Sequence, residues 1–235
     1  MVESLVVTLE IYRRVFARGA VLAVKNWPVI GTVFVYQGVL TFGAATGIYL
    51  GIVGGFLMSI LRAACFGSLL YLVEMIVRTG RVTWEDFGRS FGVYLWDFVA
   101  VFFAFWVFSQ LSGLVLSQIP QGQVIFICLL LVAFVVFNAV PELIYLGHYN
   151  LGALLARSYE FIGSNWIEWF PPNILLAITL AVLWLYPAQS PIEWVLQRVA
   201  CSLFFYFTMV VRGLLFLELD GTTRRSRIFR HKMGR

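Results

Sequence analysis

"VIFICLLLVAFVVFNAVPELIYL", residues 124–146, carries a single charge, Glu142, in an almost unbroken apolar run. A spanning helix needs about 20 mostly apolar residues, whereas a membrane β-strand alternates apolar and polar positions over about ten. This run is too long and too continuous for a strand. The whole chain has the same character: of 235 residues, 61% are hydrophobic and only 12% charged, with a mean hydropathy of +0.88. A soluble domain carries about a quarter charged residues, because its surface must be solvated. This chain lacks the polar material to cover itself in water, so its exterior faces lipid. The fold class read from this is an all-α integral membrane protein.

Six spans fit, as three hairpins in a single membrane domain. Pro28–Leu50 pairs with Phe56–Val77, Phe91–Leu116 with Val124–Leu146, and Pro171–Tyr186 with Ile192–Leu217. The connecting turns are the Gly51–Gly55 region, "SQIPQGQ" and "PAQSP". The first turn has a second reading. Gly43, Gly47, Gly51 and Gly55 form a small-xxx-small ladder, which also suits one helix face packed closely on a neighbour. Of 17 Lys and Arg, fifteen lie in the N-terminal segment, in 78–89, at Arg157, or from Arg212 onward, and none lies in the three turns. By the positive-inside rule those regions are cytoplasmic, which puts both termini inside. The first twenty residues are charged throughout and lack an apolar h-region with a cleavage site, so the first span is expected to direct insertion.

Two cytoplasmic segments read as amphipathic helices lying on the bilayer. In 4–25, Glu10, Arg14, Arg18 and Lys25 oppose Leu5, Leu9, Tyr12 and Phe16. In 149–168 and just beyond, Asn150, Arg157, Glu160 and Ser164 oppose Leu151, Leu155, Ile162 and Trp169. Such spacing suits an interfacial helix; the alternative is a short helix packed on the inner end of the bundle. Both segments end alike, in "VKNWP" (24–28) and "GSNWIEWFPP" (163–172). "LRAAC" (61–65) likewise has a counterpart in "QRVAC" (197–201). Arg62 and Arg198 are offset by 136, and the two Asn-Trp pairs by 139. The order of these features suggests a parallel duplication, with 1–78 and 148–219 as repeats flanking a middle hairpin at 79–147. Residues 220–235 form a basic tail.

A charge inside hydrocarbon requires a partner or a reason. Arg62 and Arg198 are therefore candidate sites: they are expected to snorkel outward, to donate to backbone carbonyls at the turns, or to line a polar cavity between the repeats. The other candidate intramembrane polar positions are Glu74, Asp97, Glu142 and Arg212. They are read either as a charge-paired cluster fixing the inner half of the bundle, with Arg78 within reach, or as an ion pathway. Arg14, Arg18, Lys25, Arg224, Arg225, Arg227, Arg230 and Lys232 are expected to contact anionic lipid headgroups. The cysteines (Cys65, Cys128, Cys201) all sit in apolar runs and read as small buried hydrophobes. His148 lies near Glu142, but six residues apart they share no helix face, so neither a metal nor a cofactor is expected. The chain contains no HExxH, P-loop or GxSxG motif, and the basic tail has too little aromatic interleaving for nucleic acid.

From Ala139 the chain reads "AVPELIYLGHYNLGALLARSYEFIGSNWIEW". It resembles a signature of a loose group of bacterial six-span membrane proteins. The group includes the membrane domain attached to some glycerophosphodiester phosphodiesterases and the YciC-like inner-membrane proteins. Pro141, Glu142, Ala153, Leu154, Arg157, Ser158 and Asn165 carry the likeness. "VRTGRVTWEDF" (77–87) resembles the group's inner loop, and "LLFLELDGTTRRSR" its basic exit from the last span. The resemblance implies a six-span fold in the bacterial inner membrane. The chain lacks the attached catalytic domain, so no phosphodiesterase activity carries over. Three function classes remain open: a non-enzymatic scaffold or accessory subunit of a larger membrane assembly, a transporter subunit working with a separate ATPase, and an intramembrane enzyme. Abundant Phe, Trp and Tyr favour the first.

Overall fold

A computed structural model describes residues 2–147, 149, 151–222, 226, 227, 229 and 233, with side chains at all of these except 2–4, 52 and 151. Arg224, Arg225, Arg230 and Lys232, expected at lipid headgroups, lie outside the described residues, as do His148 and Asn150. The described residues are helical, without strands. The helices are α1 (Val2–Lys25), α2 (Pro28–Gly47), α3 (Gly51–Thr79), α4 (Trp84–Arg89), α5 (Leu95–Leu116), α6 (Gly122–Val136), α7 (Val140–Glu142), α8 (Leu151–Leu185) and α9 (Pro191–Leu219). A single 3₁₀ turn, Ile48–Leu50, links α2 to α3, and a π-turn, Leu143–Gly147, follows α7.

Six helical stretches are long and apolar enough to cross a membrane: Pro28–Leu50, Val53–Thr79, Leu95–Leu116, Gly122–Gly147, Gly152–Leu185 and Pro191–Leu219. Consecutive spans pack together, α2 on α3, α5 on α6 and α8 on α9, while α3 and α9 also meet and form the centre. α5 leans on α3 and buries little beyond Phe98. The first span ends at Leu50, with Ile48–Leu50 as its last, 3₁₀ turn; the chain reverses at Gly51, whose φ of +56° suits glycine, and α3 begins there rather than at Phe56. The glycine ladder therefore splits. Gly43 and Gly47 face α3, while Gly51 makes the turn and Gly55 has open space around it.

The 149–168 segment is not a separate surface helix. It is the first half of α8, a 35-residue helix that runs straight through Pro171 and Pro172. Its polar face is exposed as expected, with Arg157 and Glu160 paired at 2.9 Å. Its apolar face turns to protein: Ile162 and Trp169 are buried, and Phe161 meets Phe216 of α9 with ring centroids 4.8 Å apart. Proline has no N–H, so Pro172 leaves the Glu168 carbonyl without its helical partner. The Tyr12 hydroxyl of α1 donates to that carbonyl at 2.8 Å. Burial, and secondarily the Glu168 carboxylate, pushes this hydroxyl up to about 12, so it stays protonated and able to donate at neutral pH. A supporting neighbour is what lets a proline pair sit inside a continuous helix.

The break between α1 and α2 is handled in the same way. Pro28 cannot bond Val24, so Trp27 N–H turns to the Val24 carbonyl at 3.3 Å and leaves Ala23. Tyr206 of α9 supplies a hydroxyl 3.2 Å from the Asn26 carbonyl and 3.4 Å from that of Ala23. α1 runs along the last turns of α9. The flank it buries against protein is Val7, Ile11, Val15 and Leu22, while Leu5 and Leu9 of the apolar face read from sequence are 54% and 64% exposed. Tyr12 and Phe16 lie between the two, Phe16 against Phe207. α1 has apolar residues around more than half its circumference, and packing on α9 selects one flank of them.

Candidate functional site

The charged residues do not form one cluster. They separate into two buried groups on either side of the α7 and π-turn segment. In the first, Glu74 on α3 is 5% exposed and pairs with Arg78 at 2.9 Å, one turn on. Glu74 also accepts from the Tyr94 hydroxyl. Arg78 reaches onward to the Leu146 carbonyl at 2.7 Å, within the π-turn whose wider spacing frees such carbonyls. Asp97, expected to join this group, is exposed in the first turn of α5 and makes no ion pair among the described residues. The reason is the helix start at Leu95, which turns Tyr94 rather than Asp97 toward α3.

The second group is built around Arg212 on α9. Its Nε and Nη2 hold both carboxylate oxygens of the fully buried Glu142 at 2.7 and 2.9 Å. Nη2 also donates to the Asn138 carbonyl at 2.8 Å, and Nη1 to the amide oxygens of Asn173 at 3.1 Å and Asn138 at 3.4 Å. A guanidinium has five N–H donors in a planar fork, and here each has an acceptor. Trp169 closes the arrangement. Its indole N–H donates to Asn138 at 2.9 Å and its carbonyl accepts from Asn173 at 2.6 Å, with the Arg212 guanidinium 5.1 Å from the ring centroid. One arginine thus ties the C-terminal end of α6, the α7 turn, α8 and α9 together. Asn138 and Asn173 were not singled out from sequence, and Trp169 was read only as part of an apolar face; the signal available was two asparagines near proline-interrupted span ends.

The Arg212 group forms the floor of a half-open cavity of about 720 Å³ between α5, α6, α8 and α9. Its walls are apolar, with Phe98, Phe105, Phe134, Leu176 and Phe205 among them. Beyond the bonded floor, one turn from Arg212, lies Thr208, and its buried hydroxyl has no hydrogen-bond partner among the described residues. Among the described residues no group of three or more His, Cys, Asp or Glu is placed to hold a metal ion. Cys65 and Cys201 are buried and Cys128 is exposed, all as free thiols.

The two repeated arginines end up in different surroundings. Arg62 is exposed on α3 and makes no hydrogen bond or ion pair with any described residue. Arg198 lies over the ring of Trp184 at 3.9 Å and near that of Trp194 at 5.3 Å, its buried Nε without an acceptor among the described residues. Neither donates to turn carbonyls, as one expectation had it. Gln197 does so instead, with Nε2 at 2.8 Å from both Leu183 and Tyr186 and 3.0 Å from Trp184. An amide is the less costly donor at the end of α8, because it carries no charge to desolvate.

Beyond the end of α9, Arg227 departs from its expected place at the lipid headgroups. It is 6% exposed, donates to Thr222 and to the Asn165 side chain at 3.2 Å, and lies 3.5 Å from the Glu168 carboxylate. Glu168 is 3% exposed, and a buried carboxylate draws in the nearest available cation. Arg14 pairs with Glu218 across an exposed 3.4 Å gap, a contact worth at most about 1 kcal/mol. Arg18 and Lys25 are exposed, without a polar partner among the described residues. Compared with protein-family models, with curated proteins and with solved structures, the chain matches none of them.

Proposed function

We propose that this chain is a non-enzymatic multi-pass module of a bacterial cytoplasmic membrane, serving as scaffold or accessory subunit for other membrane proteins. The observation that carries this reading is the outer face of α5. Trp96, Phe103 and Trp106 are 73%, 62% and 55% exposed, and the last two rings are stacked 6.0 Å apart. Lipid tails require only aliphatic surface, whereas rigid aromatic groups are the usual anchors of a protein interface. The buried charges, by contrast, are spent on internal bonds that hold the bundle together. A photo-crosslinking residue at Phe103 should label one discrete membrane protein in native-lipid particles. Phe103→Ala with Trp106→Ala should lower recovery of that protein tenfold or more, as loss of about 2 kcal/mol or more at an interface anchor requires. Labelling of lipid alone would reject the scaffold reading. A nucleotide-hydrolysing subunit in the labelled band would replace it by the transporter-subunit reading.

The same proposal has both termini in the cytoplasm and α1 at the inner interface. An even number of spans, the distribution of Lys and Arg, and the exposed Leu5, Leu9, Val24 and Trp27 support this. In a cysteine-free background, single cysteines at Gln121 and Gln189 should react with an impermeant reagent on intact cells. Cysteines at Thr83 and Thr222 should react only after permeabilisation. The reverse pattern would invert the topology.

A parallel duplication belongs to this reading and is supported by two asparagines. Asn26 donates to Leu22 one turn back and accepts from Val82, just past the end of α3. Asn165 donates to Phe161 one turn back and accepts from Arg227, just past the end of α9. The resemblance to the six-span group rests on the quoted motifs, and Glu142, the acid of its Pro-acid pair, is the partner of Arg212.

A further inference from the structure

The cavity above the Arg212 group combines long apolar walls with a polar end that has bonding capacity left over. Its volume, about 720 Å³, is that of a site for a ligand of some size. Along α5 the lining runs from Phe98 to Phe108, which is about 15 Å at ~1.5 Å per residue. That is half of a hydrocarbon core about 30 Å thick, the depth of one leaflet. A single acyl chain fits this length, and the aromatic and aliphatic walls suit it chemically.

The floor decides what the head of the ligand must be. Every N–H of Arg212 is already bonded, and Glu142 balances its charge. An anionic head therefore finds no unspent cation there, and a cationic head finds no unspent carboxylate. What remains is neutral. Thr208 lines the cavity, is 9% exposed, and its hydroxyl bonds to no described residue. Thr32, Thr41, Thr46, Thr79 and Thr179 each turn their hydroxyl back to a carbonyl of their own helix, the ordinary outcome for threonine. Thr208 does not, and an unpaired buried hydroxyl is unfavourable until an acceptor or donor arrives. Asn138, half-buried in the same lining, keeps an amide nitrogen that donates to no described residue.

We propose that the cavity is a binding site for an uncharged glycerolipid of the diacylglycerol type. One acyl chain lies between α5 and α8, an ester carbonyl accepts from Thr208 Oγ1, and the free hydroxyl accepts from the Asn138 amide. This site does not depend on any partner at the outer face of α5.

Two photoreactive probes test it, a diacylglycerol and a phosphatidylglycerol with the same diazirine-bearing acyl chain, each in vesicles with the full chain. The diacylglycerol should label cavity residues of α5, α6 and α8 about tenfold more than the phosphatidylglycerol does, since a tenfold preference is the least that distinguishes a site from bulk lipid. Ala177→Trp, which fills the cavity from an exposed position, should lower that labelling about tenfold. Thr208→Val, which keeps the shape and removes the hydroxyl, should lower it about threefold to tenfold, as loss of one neutral hydrogen bond does, and Thr208→Ser should restore it. Equal labelling by the two probes overturns the uncharged head. Labels spread evenly over all lipid-facing helices overturn the site itself. The comparison of probes on the wild-type chain decides the matter even where a variant fails to fold.

Discussion

Arg212→Met is expected to destabilise the bundle by about 3–5 kcal/mol, the cost of leaving a buried charge without its partner. Glu142 is fully buried and receives two of the five Arg212 donors, so the substitution strands a carboxylate and also unties Asn138 and Asn173. Glu142→Leu should cost a similar amount by stranding the guanidinium. The double variant, Glu142→Leu with Arg212→Met, should recover most of the loss, because well-packed apolar residues often replace a buried ion pair without net cost. Reversible unfolding in mixed detergent micelles measures all three. A double variant as unstable as the sum of the singles would show that the asparagine bonds, not the ion pair, hold the knot.

The crossing of α2 and α3 is expected to be the other point of large sensitivity. A Cβ placed on Gly54 would lie 1.9 Å from the carbonyl oxygen of Gly47 and 2.7 Å from its carbon. Both are backbone atoms, so no side chain can rotate away and the helices themselves must separate. Gly54→Ala should cost about 1–3 kcal/mol, the range for forced overpacking. At Gly55, one residue along, a Cβ meets nothing within 4 Å. Gly55→Ala should therefore be neutral or stabilising by about 0.5–1 kcal/mol, through the smaller entropy an alanine loses in a helix. The same unfolding assay separates the two neighbours. Equal effects would mean that the helices do not cross at Gly47 and Gly54.

The spans were legible because membrane helices are selected by a local quantity. A run such as 124–146 declares itself through the transfer of its own side chains, independent of what they later touch, and Pro28–Leu50 is found at the bounds read from sequence. Turn chemistry was equally local at "SQIPQGQ" and "PAQSP", between α5 and α6 and between α8 and α9. Glu74, Glu142 and Arg212 were also visible, since a Glu or Arg inside such a run stands out, whereas Glu168, in a segment read as a surface helix, was not.

Partner choice was not visible. Glu74 and Arg212 sit on helices whose rotation about their own axes decides whether they meet each other or Tyr94 and Glu142. That rotation is set by packing over the whole helix face, as with Val7, Ile11 and Val15 winning over Leu5 and Leu9 on α1. Arg227 shows the same limit from the other side. Within its basic stretch it reads like its neighbours, and only the buried Glu168 of a distant helix singles it out. The continuity of α8 through Pro171 and Pro172 was hidden for a related reason, because the donor to the freed Glu168 carbonyl is Tyr12, 156 residues away. Local composition determined which segments enter the membrane. Only tertiary contact decided which polar atoms they satisfy there, because an unsatisfied donor or acceptor in hydrocarbon is costly enough to take its partner from anywhere in the fold.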